Sequence, residues 1–224
     1  MQDVQRLRID LRTQYPEIDH VYNDDYLHKI LSMPGNSFES ARDEKVIKAL
    51  LWRRAFGVDV LCDTLRFVCD EWVQIESELY RPQPSTINLC RSNTLAWETT
   101  QGPVLRSIVG KIDWSDALAI MQHHVVLIEY GISTILPMTS ANSFRMIVDI
   151  TQLGIFDLPP LRVVQDIAML LQEAYPERIE YIHIGPVSTS IVLLFELVKP
   201  LLTRRSRNKI KLVSKLPPLQ LRRL

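Results

Sequence analysis

The second half of the chain alternates between strand-like and helix-like segments, and this order constrains the fold more than any other feature of the sequence. The apolar runs of strand length span residues 104–112, 144–150, 181–184 and 210–213. The intervening helices are predicted at residues 114–132, 160–174 and 190–202. Parallel strands need a long connection between them, usually a helix, and such crossovers are right-handed. The alternation therefore predicts an α/β fold with a mainly parallel sheet flanked by helices.

The first half of the chain is predicted to be helical. Residues 46–56 carry apolar side chains at helical spacing, Gly57 marks a stop, and residues 58–79 continue as a second amphipathic helix. A segment rich in proline then interrupts the pattern. We therefore predict a boundary between a helical subdomain, residues 1–85, and an α/β domain, residues 86–224.

Charge is balanced over the whole chain but is segregated along it. Lys and Arg number 26, as do Asp and Glu, so no net field attracts nucleic acid and we expect no such partner. The last 22 residues carry eight basic side chains and no acidic ones, which leaves a net charge of −8 on the rest. This basic segment is predicted either to face anionic lipid head groups or to be a solvated tail. The membrane-facing candidates are Arg204, Arg205, Arg207, Lys209 and Lys211.

Cysteine usage and hydropathy favour an intracellular protein. Cys62, Cys69 and Cys90 are an odd number without a metal-binding spacing, which indicates a reducing compartment and no zinc site. The amino terminus is polar and acidic, unlike a signal peptide, and no apolar run reaches the roughly 18 residues that a membrane span requires. We therefore expect a cytoplasmic location.

No catalytic motif is recognisable in the sequence. Glycine-rich phosphate loops, a GxSxG nucleophile elbow and the HExxH pair are all missing, so we expect no enzyme activity, no metal and no cofactor. His123 and His124 are adjacent on a predicted helix and point about 100° apart, which favours a structural role over a shared metal site. His183 lies within a predicted strand, either in the core or at the edge of a pocket.

The helix predicted near the carboxyl terminus is unusual because it is apolar all round. Residues 188–202 read STSIVLLFELVKPLL, and a helix with this pattern is expected to be buried on every side. It is too short to cross a bilayer. It either lies between the sheet and neighbouring helices, or it covers a lipid-filled cavity and lies against a bilayer when that cavity opens.

The order of motifs in residues 175–213 resembles the CRAL-TRIO lipid-binding family. A helix ends in Tyr-Pro-Glu-Arg, and a strand, an apolar helix with a Lys-Pro step, a basic turn at 207–211 and another strand follow. Residues 43–58 are similar to the family's amino-terminal helical motif. Residues 144–154 are similar to its strand with the V-x-D-x-x-G signature, with one extra residue before the glycine. The resemblance covers about residues 24–216.

This resemblance implies a fold and a function. The sheet would form the floor of an apolar pocket closed by a lid helix at 188–202, and the protein would bind a hydrophobic lipid and transfer it between membranes without catalysis. An apolar pocket is needed because each CH₂ exposed to water costs about 0.8 kcal/mol. Some relatives are adaptors or bind small GTPases, so an interaction module with a protein partner is the alternative. The lid candidates are Ile191, Val192, Leu194, Phe195 and Val198.

The resemblance also implies head-group candidates for a phospholipid such as phosphatidylinositol. Lys199 occupies the Lys-Pro step where phosphoinositide-binding members contact the head group, and Asp166 stands where they have a glutamate. Arg54 matches one of two consecutive basic residues in their amino-terminal motif, but Ala55 replaces the other, which leaves the identity of the lipid open. The protein is expected to associate with anionic membrane surfaces transiently and peripherally.

Overall fold

A computed structural model describes residues 2–68, 86, 89, 95–99, 102–153 and 157–217. Helices form the first half of the described chain, and strands alternate with helices in the second. The helix predicted over 58–79 is confirmed as far as Val68. Cys69, Cys90 and the predicted domain boundary at residue 85 lie outside the described residues.

All helices of the amino-terminal half but the last surround a packed apolar core, and the last packs against the α/β half. They are α1 (Gln2–Arg12), α2 (Ile18–Val21), α3 (Asp24–Leu31), α4 (Phe38–Ser40), α5 (Lys48–Phe56) and α6 (Val58–Val68), and a π-helical segment, Ala41–Ile47, joins α4 to α5. Side chains from separate helices, including Leu7, Leu27 and Leu50, are fully buried in this core. Burial of these apolar groups is the main force that holds short helices together.

The bounds of the predicted helix over 46–56 follow from its capping residues. The Ser37 hydroxyl accepts a hydrogen bond from the Ser40 backbone N–H, so helical structure begins at Phe38, earlier than predicted. Gly57 ends α5 with a φ of 68°, in the left-handed region that glycine adopts without steric cost. The helix and its stop are confirmed.

One sheet forms the centre of the described α/β half. Its strands, in spatial order, are β1 (Leu95–Glu98), β2 (Val104–Ile108), β3 (Phe144–Asp149), β4 (Ile179–Gly185) and β5 (Ile210–Leu212). Strands β2 to β5 are parallel, which confirms the predicted arrangement, and β1 pairs antiparallel with β2 at the edge. The sequence did not predict β1, because four residues are too few to show an alternating pattern.

Helices connect the parallel strands as predicted. They are α7 (Ala117–Tyr130), α8 (Leu136–Met138), α9 (Leu161–Met169), α10 (Thr189–Val198) and α11 (Arg204–Lys209). Short π-helical turns follow α7 and α9, at Gly131–Ile135 and Leu170–Ala174, and 3-10 turns lie at Val109–Lys111 and Lys199–Leu201.

The expectation that the apolar helix is buried on every side is wrong. In α10, Ile191 and Val198 are buried, but Leu193 and Leu197 are 63% and 60% exposed. The helix lies at the surface with one apolar face inward and another facing solvent. An interior position between the sheet and its neighbours is therefore excluded.

Candidate functional site

A cavity of about 380 Å³ lies between the parallel strands and the helices that cover them. The sheet contributes its floor, through Ser107, Met146, Val148, Ile182, Ile184 and Ile210. Helices α9 and α10 contribute the opposite wall, through Val164, Ile167, Ile191, Leu194, Phe195 and Val198. This volume is typical of sites that bind small organic ligands.

The period of the strands decides which side chains reach the cavity. On β4, Ile182 and Ile184 line the cavity, while Tyr181 and His183 belong to the opposite face. The rings of Tyr181 and His183 lie 4.4 Å apart, and the Tyr181 hydroxyl accepts a hydrogen bond from Arg145. His183 therefore packs behind the cavity floor, and the pocket-edge position considered for it is not observed.

The lid candidates divide between the two faces of α10. Ile191, Leu194, Phe195 and Val198 line the cavity, whereas Val192 is exposed on the outer face beside Leu193. The helical period explains the division, because side chains three and four positions apart share a face. The sequence alone did not separate these faces, since both are apolar.

The two ends of the cavity differ in polarity. The end at the carboxyl edge of the strands is apolar and includes Val109, Ile150 and Leu153. The other end lies at the amino edge, where Glu177 precedes β4 and Lys209 precedes β5. The cavity therefore has the amphipathic character of a lipid, with an apolar interior and a charged end.

Glu177 organises the cations at the charged end. Its Oε2 lies 2.8 Å from an Arg205 guanidinium nitrogen and 3.0 Å from Lys209 Nζ. Burial opposes ionisation of the Glu177 carboxyl, but the charges of Lys209 and Arg205 and their hydrogen bonds outweigh it, so its pKa lies below the usual value. Lys209 Nζ also donates to the Ile179 carbonyl, which ties this cluster to the start of β4.

A polar network lies beside this cluster on the cavity wall. The Gln172 side-chain oxygen accepts hydrogen bonds from the Thr203 backbone N–H, at 3.0 Å, and from the Ser206 hydroxyl, at 2.9 Å. All three residues line the cavity. The network holds α11 against the π-helical turn that follows α9.

The helical half of the chain closes the charged end from the other side. Asn36 and Lys45 both line the cavity. Lys48, three residues after Lys45, forms an ion pair with Glu173 at 2.7 Å, and Lys29 Nζ donates to the Glu177 carbonyl at 2.9 Å. These contacts fix the helices against the sheet at this end.

The head-group candidates from the sequence lie outside the cavity wall. Lys199 Nζ is 2.8 Å from Glu196, and Arg54 is 2.6 Å from Glu17. Asp166 is exposed on α9 and forms no ion pair with Lys199 in this structure. The structure thus does not bring these three residues together, and their role in head-group binding stays a prediction.

The basic candidates separate into two groups that the sequence did not distinguish. Arg205 and Lys209 line the cavity and pair with Glu177. Arg204, Arg207 and Lys211 are exposed and line no part of it.

The two adjacent histidines differ in their surroundings. His124 lines the cavity and donates from Nδ1 to the Ile120 carbonyl at 2.8 Å, and burial lowers its pKa. His123 is buried, its Nε2 has no hydrogen-bond partner among the described residues, and burial together with His124 lowers its pKa to about 3. Among the described residues, no three His, Cys, Asp or Glu side chains are grouped to hold a metal ion.

These features define a class of protein: an α/β domain that encloses an amphipathic cavity under a surface helix, with helices of the amino-terminal half closing one end. A model of the CRAL/TRIO domain matches residues 94–221, more than half of the chain, and the chain therefore belongs to this family. The crystal structure of Sfh5 is similar, with a TM-score of 0.64 and 13% identity, over 96% of this chain and 81% of that one. At this identity the likeness shows the fold. No curated protein sequence gives a match.

Membership of the family establishes the function in general terms. CRAL-TRIO proteins bind lipids and are carriers rather than enzymes, and the cavity agrees with lipid binding. No described helix is long and apolar enough to cross a membrane.

Proposed function

We propose that this protein binds one lipid molecule in the cavity under α10 and transfers it between membranes without chemical change. The observation that carries the proposal is the cavity itself, which lies between the sheet and an apolar surface helix. An acyl chain in this cavity is shielded from water, which removes a cost of about 0.8 kcal/mol for each CH₂.

The outer face of α10 supports a role for this helix as a lid. Leu193 and Leu197 expose apolar surface on the outer face of the helix. At a membrane surface these side chains contact acyl chains while the inner face of the helix moves away from the cavity. The exposed bases Arg204, Arg207 and Lys211 favour an anionic surface for this step.

A phospholipid such as phosphatidylinositol is the proposed cargo, and Lys199, Asp166 and Arg54 are its proposed contacts. Lys199 and Arg54 each hold a carboxylate partner at the surface, so head-group binding there requires phosphate to replace Glu196 or Glu17. The Lys199–Glu196 pair is exposed on both sides, and such a pair contributes at most about 1 kcal/mol, so the exchange there is inexpensive. Glu17 is only 17% exposed and accepts hydrogen bonds from two nitrogens of Arg54, so the exchange at Arg54 costs more.

Filling the cavity tests the proposal. Ile184→Trp inserts a large side chain into the cavity, and His183→Trp inserts the same side chain at the next residue of β4, on the opposite face. We expect Ile184→Trp to abolish transfer of fluorescent phosphatidylcholine between vesicles, and His183→Trp to retain it. Circular dichroism checks that both variants are folded. Equal transfer by both variants contradicts the proposal.

Changing the outer face of α10 separates lipid binding from transfer. We expect the double variant Leu193→Glu, Leu197→Glu to retain lipid that is loaded from detergent but to transfer it at least about tenfold more slowly, because two charged side chains oppose insertion into a membrane. The double variant Ile9→Glu, Met138→Glu adds the same two charges at exposed apolar positions away from α10 and the cavity, and serves as the control. If the wild-type protein carries no lipid and transfers none, an interaction module with a protein partner becomes the better explanation.

The Lys199 assignment has its own test. We expect Lys199→Ala to reduce transfer of phosphatidylinositol more than transfer of phosphatidylcholine, because only the former head group is anionic. An equal reduction for both lipids contradicts the assignment.

A further inference from the structure

We propose that His124 and Ser107 form a hydrogen-bonding subsite in the apolar part of the cavity, and that this subsite binds the hydroxyl group of an uncharged lipid alcohol. The inference rests on the proposed lipid binding, but it does not depend on a phospholipid as the cargo. Both side chains line the cavity, and neither belongs to its charged end. A lipid alcohol is thus a second class of cargo for the same cavity.

The packing of α7 on the sheet brings the two side chains opposite each other. Ile120, His124 and Ile128 are spaced four positions apart and share one face of the helix. Ile120 belongs to one apolar cluster with the segment that follows β2, and Ile128 belongs to another with Leu105 on β2 itself. Ser107 lies two positions after Leu105, on the same face of the strand. His124 therefore faces Ser107 between the two clusters.

The surroundings of His124 fix one tautomer of its ring. The residue is 2% exposed, and its Nδ1 lies 2.8 Å from the Ile120 carbonyl oxygen. A carbonyl can only accept a hydrogen bond, so the proton is on Nδ1. Burial lowers the pKa of the ring, which keeps the imidazole neutral. Nε2 is therefore a hydrogen-bond acceptor, and none of the described residues donates to it.

Ser107 supplies a hydroxyl that also lacks a partner. The residue is 3% exposed, and its Oγ forms no hydrogen bond with His124 or with any other described residue. Leaving such a buried polar group unpaired costs about 1–3 kcal/mol, and buried polar groups are nearly always paired. An acyl chain packed against these two groups does not remove this cost, because it offers neither a donor nor an acceptor.

The two groups select a hydroxyl over the other polar groups of a lipid. Neutral Nε2 requires a donor, which an ether, an ester or a ketone does not have. An ammonium group is a donor, but its charge is costly in an apolar wall. A hydroxyl donates to Nε2 and still has lone pairs that accept from Ser107. The wall around the subsite includes Met146, Val148 and Ile150, so the body of the ligand is hydrocarbon. A sterol or a long-chain alcohol has this combination.

The test compares alcohols with ethers that lack the donor. The purified full chain is equilibrated with phosphatidylcholine vesicles that contain equal parts of cholesterol and its methyl ether, and is then separated from them. A second set of vesicles contains equal parts of hexadecanol and its methyl ether. Mass spectrometry gives the ratio of alcohol to ether in the bound lipid. We expect the wild type to prefer the alcohol, and equal binding of alcohol and ether in both pairs overturns the proposal.

Substitution of His124 should remove the preference without removing the cavity. His124→Phe keeps a ring but loses the acceptor, and we expect it to lower the ratio about fivefold, which corresponds to about 1 kcal/mol, the typical net contribution of one neutral hydrogen bond. His124→Gln retains an acceptor and should keep part of the preference. Ser107→Ala should lower the ratio by a smaller factor, because the bond to Nε2 remains.

The adjacent histidine provides a matched control. His123→Phe makes the same change at the next residue of α7, which does not line the cavity, and we expect the ratio to stay unchanged. Because a ratio is measured, partial loss of folded protein does not imitate the result. An unchanged ratio in His124→Phe, or an equal fall in His123→Phe, overturns the proposal.

The two pairs of probes distinguish the shapes of cargo. A preference in the cholesterol pair alone assigns the subsite to sterols, and a preference in the hexadecanol pair alone assigns it to linear alcohols. Both results support the proposal. If the wild type binds no lipid at all, phosphatidylcholine included, the proposed function itself fails. Lipid binding without a preference for the hydroxyl overturns only this inference.

Discussion

The core of the helical half and the cavity face of the sheet use apolar side chains in opposite ways. In the helical half, Leu7, Leu27 and Leu50 are fully buried against one another. In the sheet half, Ile182 and Ile184 are only partly buried, because they face a cavity of about 380 Å³. Close packing stabilises the first region, whereas the second leaves apolar surface available to a ligand. The comparison shows that the binding site is the place where the fold does not fill its own core.

The largest expected effect on the free energy of unfolding comes from a substitution in the closely packed core of the helical half. Leu27→Ala should reduce the free energy of unfolding by about 2–5 kcal/mol, because it removes buried methyl groups and leaves a void. Urea denaturation measures the change. A loss well below this range would mean that the helical core is not closely packed.

Lipid binding should stabilise the folded protein, because the ligand fills the cavity that the fold leaves open. Lipid at about 100 times its dissociation constant stabilises the folded state by about 2.7 kcal/mol, since it fills the cavity in the native state alone. Denaturation of lipid-loaded and delipidated protein gives this difference. We expect Ile184→Trp to reduce it strongly, and equal stabilisation of this variant would place the lipid elsewhere.

Acid should destabilise the protein through the histidines of α7. The pKa of His123 is about 3 in the folded protein and about 6.5 in the unfolded chain, so the unfolded state binds more protons between these values. The stability that His123 contributes is complete above pH 6.5 and falls as the pH is lowered through this window by about 1.4 kcal/mol per pH unit. His123→Leu should flatten the pH profile of stability, and profiles of equal slope would contradict this.

The smallest expected effect on the free energy of unfolding comes from a substitution on the cavity face of the sheet. Ile184→Ala should cost less than about 1 kcal/mol in the delipidated protein, because part of this side chain already lacks packing partners. The same variant should weaken lipid binding. If its cost in urea equals that of Leu27→Ala, the two regions are packed alike and the comparison fails.

The fold was largely predictable because its signals are local. Patterns in consecutive residues indicate the alternation of strands and helices, the Gly57 stop and the length of the crossovers. β1 was missed because it is short and its partner is found only through tertiary pairing.

The site was predicted less completely, since its charged end joins distant segments. Lys45 and Arg205 are 160 positions apart, and neither lies in a motif that marks it as part of a cavity. Arg205 was recognised as one of five basic residues, but the sequence did not separate it from its exposed neighbours. Burial and the position of Glu177 make that distinction.

The sequence by itself determined the family, the parallel sheet and the presence of an unusually apolar helix. Tertiary structure alone decided which face of that helix is inward and which cations lie within the cavity. The physical reason is that periodicity is a property of neighbouring residues, whereas an unfilled volume is a property of surfaces that the folded chain brings together without closing the space between them.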